Sequence, residues 1–161
     1  MNIKTTNSRI VLTRLLSVAA LVCLAICMIL PTINIEMSST PLMMLALPNL
    51  EMTGKQVFGI LGILALIFTV IFMIFLFLEK RSSYIRSFGF AALVLWLSSL
   101  VLAAVEVNTS FQAMLATISI LNRGNTALDL TAQLTPMLGL WFYLIGFSFL
   151  IATVIVCPRN K

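Results

Sequence analysis

Four carboxylates, Glu36, Glu51, Glu106 and Asp129, stand between long apolar runs and are the chain's main candidates for chemistry. Brought together, they could bind a hard cation through oxygen or divide general acid and general base roles. Nothing in their spacing requires it, and solvated surface acids are the plainer reading. The chain has no histidine, and its cysteines, Cys23, Cys27 and Cys157, do not fall at metal-site spacings. No catalytic residue, metal site or cofactor site is expected, and the chain does not read as an enzyme. Cys23 and Cys27, four apart in an apolar run, read as inert thiols. Cys157, beside Pro158 and Arg159, is a candidate for acylation. No cysteine falls in the two outer connections, which excludes a disulfide framework there.

The elements that must carry these residues are apolar and long. Mean hydropathy is +1.12 and only 9% of the 161 residues are charged, against roughly a quarter in soluble domains. A hydrocarbon layer about 30 Å thick takes about 20 apolar residues per helix. Residues 10–30, 57–78, 88–105 and 137–156 meet that requirement. The expected fold is an all-α membrane protein, one four-helix transmembrane bundle filling residues 1–161. With the amino end inside, Lys4, Arg9, Arg14, Lys80, Arg81, Arg86, Arg159 and Lys161 fall on the cytoplasmic side, and only Lys55 and Arg123 fall outside. The layout is therefore a multi-pass cell-membrane protein with both termini cytoplasmic. The net charge of +5 reads as an orientation signal and an affinity for anionic lipid, with no nucleic-acid footprint.

Local signals punctuate this layout. Pro31 closes the first helix. Residues 32–37 alternate polar and apolar through Ile33, Ile35 and Met37, the period of a half-buried strand. Pro41 and Pro48 make the rest of that loop irregular, and its Met43, Met44, Leu45 and Leu47 are too apolar to be freely solvated. Thr53-Gly54-Lys55-Gln56 is a capping box that opens the second helix. The connection from Glu79-Lys80-Arg81 to Ser87 is short, which predicts an antiparallel hairpin of the second and third helices. In the second outer loop, Phe111, Met114, Leu115, Ile118 and Leu121 line one helical face. That predicts a separate short amphipathic helix capped by Asn108 or Thr109 and stopped by Asn122-Arg123-Gly124. A further short turn is expected over residues 126–133, and Thr135-Pro136 is expected to start the last helix.

Inside the spans the chemistry is sparse. Ser17, Thr69, Ser98, Ser99, Ser148 and Thr153 are scattered and read as hydroxyls bonded to their own helix or a neighbour. No titratable group lies near mid-depth, as a proton-coupled carrier would need. Small residues form tracks suited to close helix packing: Gly59, Gly62 and Ala65; Ala92, Ser99 and Ala103; Gly139 and Gly146. Packing within the bundle accounts for them, with homo-oligomer formation as the secondary reading. Trp141 and Tyr143 suit an aromatic belt at the outer surface. Trp96, near mid-depth, needs a hydroxyl or carbonyl for its indole N–H.

Pro31 closing the first helix, Thr53-Gly54 opening the second after an extended loop, and Gly139-Leu140-Trp141 opening the fourth give the chain a resemblance to small claudin-like tetraspan proteins of bacterial membranes. That resemblance implies a four-span bundle. Claudins proper carry a tryptophan and two cysteines in the first outer loop; this loop has neither, so a junctional or channel role is not implied. The amphipathic segment and the missing chemical groups lead to an expected binding or accessory role, toward lipid and a membrane-protein or peptide partner, as in an immunity or assembly factor. A small oligomeric transporter or channel is the alternative.

Overall fold

The computed structural model describes residues 3–39, 50–78, 82–124 and 130–157. In chain order these form α1 (Ile3–Ile29), β1 (Pro31–Ser39), β2 (Leu50–Thr53), α2 (Gly54–Phe77), α3 (Ser82–Gly124), β3 (Leu130–Pro136) and α4 (Leu138–Val156). Four helices are long and apolar enough to cross a membrane, within Ser8–Ile29, Gly54–Phe77, Tyr84–Arg123 and Leu138–Val156. α1 packs mainly on α4, and α2 mainly on α3. Large apolar side chains point outward all around the bundle; Ile60 is 78% exposed and Ile155 is 73% exposed.

The expectation of an all-α chain needs correction, because one end of the bundle carries a three-stranded antiparallel sheet in the order β2-β1-β3. Its origin is the alternation seen in residues 32–37. Ile33 pairs with Met52 and Pro136, and Ile35 pairs with Leu50 and Leu134. One sheet face is therefore apolar, and Ile35 is buried on it. The other face is polar, with Asn34 opposite Glu51 and Thr135, and Glu36 opposite Gln133. Residues 130–133, expected as a turn, belong to β3, while 125–129 lie outside the described residues, as do the apolar loop around Met43 and the 79–81 connection.

Three helices are fastened to the base of this sheet. The Gly54 N–H donates to Leu30 O at 3.2 Å, and the Met137 N–H donates to Thr32 O at 3.0 Å. Backbones meet so closely that a Cβ on Gly54 would overlap Cys27 O, and one on Gly139 would lie about 2.8 Å from Pro31 O. The predicted capping box is present: the Thr53 side chain faces the Gln56 backbone N–H, and Gln56 Oε1 accepts from the Thr53 N–H at 2.9 Å. α4 starts differently from the expectation. Pro136 closes β3 opposite Ile33, and the residue preceding the helix is Met137, in an extended conformation.

The predicted short amphipathic helix is not separate. It is the second half of α3, which runs 43 residues without a break. No glycine or proline occurs between Gly89 and Gly124 to interrupt it. Thr109, expected as a cap, instead donates its hydroxyl to Val105 O four residues back at 2.8 Å, an arrangement of helix interiors. At about 1.5 Å per residue, α3 is about 64 Å long.

Candidate functional site

The helix interior is aromatic and its hydroxyls are internally bonded. Phe58, Trp96 and Tyr143 meet where α2, α3 and α4 converge, with Phe58 stacked on Tyr143 at 4.8 Å and Trp96 edge-on to Tyr143 at 5.6 Å. The Trp96 indole N–H donates to Thr69 Oγ1 at 3.1 Å. Tyr143 donates to Trp96 O at 3.0 Å, and Ser99 donates to the same carbonyl at 2.8 Å. Tyr143 is thus fully buried core, not a belt residue as expected, whereas Trp141 is 57% exposed. Thr13, Ser17, Thr69, Ser148 and Thr153 each donate to a carbonyl three or four residues earlier. Such bonds leave these hydroxyls little capacity to line a polar path.

The small-residue tracks divide by role. Ala65, Ala92, Ser99 and Ala103 are buried. A Cβ on Gly62 would meet Phe58 and Met28, and one on Gly146 would meet Leu24 and Cys23 of α1. Gly59 is different. It has φ +56° and ψ −148°, kinking α2, and a Cβ there would meet nothing within 4 Å. Its backbone conformation favours glycine, and no neighbour within the chain packs against it there.

At the sheet end, Glu36 and Glu51 share the polar face as diagonal neighbours across β1 and β2. Glu36 Oε1 accepts from Asn34 Nδ2 at 3.1 Å, and Asn34 Oδ1 is buried without a partner among the described residues. Glu106 is exposed on α3, and Asp129 lies outside the described residues. No group of three metal-capable side chains forms among the described residues.

The most distinctive surface is the overhang of α3. Arg86 is bonded to Cys157 O and Tyr143 to Trp96 O, so α3 and α4 run antiparallel in fixed register. From that register α3 passes the level of Leu138 at about residue 102, leaving roughly 33 Å of helix, residues 103–124, beyond the start of α4. Along its amphipathic face Ile118 is buried, while Phe111, Met114 and Leu115 are half-buried and Leu121 is 52% exposed. A second face, Ala113, Ala116, Thr117 and Ile120, is exposed at helical spacing.

The opposite end carries the arginines. The Arg14 guanidinium lies 5.4 Å from the Phe77 ring centre, and its Nη2 donates to Phe77 O at 3.4 Å. Arg86 Nη2 donates to Cys157 O at 3.0 Å. Each cation meets the carboxyl end of a neighbouring helix, where it complements the dipole. Sequence reading used both arginines only as orientation signals, because a helix-end contact made across the bundle has no local motif. No protein-family model, curated protein or solved structure matches the chain.

Proposed function

We propose that this chain is a four-span cell-membrane protein with cytoplasmic termini that works as a binding or accessory protein. The α3 overhang, together with the sheet beside it, is the docking platform for another membrane protein or a peptide. The length of α3 carries this reading. About 64 Å of continuous helix is twice what a bilayer about 30 Å thick can hold. The collar of exposed apolar side chains supports membrane insertion, and the eight-to-two split of basic residues supports the orientation. The order of elements, with strands after the first span and before the second and fourth, is compatible with a claudin-like tetraspan layout.

Ala113, Ala116 and Thr117 give the overhang a shallow face that a partner helix or strand can approach closely, and exposed Ile120 and Leu121 offer it apolar anchors. Photo-cross-linking from Thr117 and Ile120 in intact cells tests this directly. A discrete adduct with one membrane protein or peptide is expected. Adducts with lipid alone would overturn the docking role, as would solute flux through the purified protein in liposomes. Reporter fusions after Arg81 and Lys161 are expected on the same, cytoplasmic, side.

A further inference from the structure

At the end of the bundle away from the sheet, a cleft of about 750 Å³ opens between α1, α3 and α4. Its walls include Arg9 and Leu12 of α1, Arg86 and Phe90 of α3, and Ile155 and Cys157 at the end of α4. Two of these residues are cations and none is an acid. The described acids lie far off, Glu36 and Glu51 in the sheet and Glu106 in the overhang of α3. Arg86 is held in place by its bond to Cys157 O, yet its Nε is buried with no hydrogen-bond partner among the described residues. A guanidinium carries five N–H donors, and Cys157 O takes one from Arg86 Nη2. Arg9 is exposed at the same cleft.

We propose that this cleft binds an anionic phospholipid, its phosphate between Arg9 and Arg86 and an acyl chain along Leu12, Phe90 and Ile155. The proposal rests on the membrane-spanning reading above. Charge complementarity calls for the phosphate, since guanidinium forks match phosphate oxygens and no acid among the described residues lines the cleft. The walls call for a lipid over a soluble anion. Leu12 is 49% exposed, Phe90 64% and Ile155 73%, so the cationic site continues into an open apolar surface that only an amphiphile could cover. The basic end is also the one proposed to face the cytoplasm, where anionic headgroups attract cationic residues.

The experiment is native mass spectrometry of the full-length protein in detergent, titrated with phosphatidylglycerol or phosphatidylcholine of equal chain length. Phosphatidylglycerol is expected to bind at least tenfold more tightly. Arg9→Gln, at an exposed position, is expected to weaken it about fivefold, while Arg123→Gln on the overhang changes nothing. Arg86→Lys keeps the charge but removes Nε, and is expected to weaken phosphatidylglycerol alone. Equal retention of the two lipids, or unaltered binding by Arg9→Gln, would overturn the proposal. Complete displacement by millimolar inorganic phosphate would also overturn it, pointing to a soluble anion. Alkaline carbonate washing of native membranes separates the two readings. Release of the protein would sink the membrane reading itself, whereas a firmly embedded protein without lipid preference sinks only the cleft.

Discussion

Tyr143 gives its phenolic proton to the backbone carbonyl of Trp96 at 3.0 Å, tying α4 to α3 through a helix interior with no other cross-link between them at that depth among the described residues. The Trp96 indole N–H continues the tie to Thr69 on α2. The two bonds differ in what their loss leaves behind. Tyr143→Phe removes the donor, but Ser99 still donates to the Trp96 carbonyl, so a loss of about 0.6 kcal/mol is expected. Thr69→Val strands the indole N–H, and about 1–3 kcal/mol is expected. Denaturant titration in mixed micelles measures both. A Thr69→Val protein as stable as the parent would mean that the indole bond contributes nothing.

Gly59→Ala separates conformation from packing. Space for a methyl group is free at this position, so sterics predict no cost. The backbone there is one that residues with a Cβ rarely adopt, with φ +56° and ψ −148°, which predicts a loss of about 1–3 kcal/mol. Gly146→Ala is the contrasting case, because its methyl group would press on Leu24 and Cys23. If Gly59→Ala leaves the unfolding midpoint unchanged, the kink is not required by the fold.

Much of this architecture was legible in the residues, for reasons of period and composition. Four apolar runs marked the helices, and the Ile33–Ile35 alternation marked β1. Pairing partners were not legible. Leu50-Glu51-Met52 and Leu134 are unremarkable as sequence and become strands only because β1 offers them edges. The extent of α3 was missed because Asn108-Thr109-Ser110 has the composition of a cap, and a cap differs from a helix interior only in where the hydroxyl bonds. Tyr143 was misplaced for a related reason: depth in a bundle depends on rotation about the helix axis, which the chain's apolar α4 does not encode.

Cys157 follows the last residue of α4 and is buried. Burial pushes its thiol up from the usual range, and the neighbouring Arg86 guanidinium only partly pulls it back. A raised pKa means less thiolate at any given pH, so maleimide labelling in the folded protein is expected to lag well behind that in the denatured protein near pH 8. The gap should narrow as pH rises through the raised value. Arg86→Gln removes the opposing cation and is expected to slow labelling further. Rapid labelling at pH 7 would contradict this burial and would return Cys157 to consideration for acylation.

Continuity of α3 past Asn108 has a sharp test in Asn108→Pro. If a separate helix were capped at Asn108 or Thr109, proline there would cost little, since a residue preceding a helix makes no intrahelical N–H bond. In an unbroken helix the same proline deletes the N–H bond to Ala104 and collides with the preceding turn, at about 3 kcal/mol. The Thr109 hydroxyl bonded to Val105 O favours the second outcome. Far-ultraviolet circular dichroism is expected to show lost helix, with an earlier unfolding transition to match. Cross-linking from Ile120 should fall in parallel, because the overhang would no longer hold a fixed direction from the bundle. Unchanged helicity and stability in Asn108→Pro would break α3 in two and remove the rigid platform on which the docking role depends.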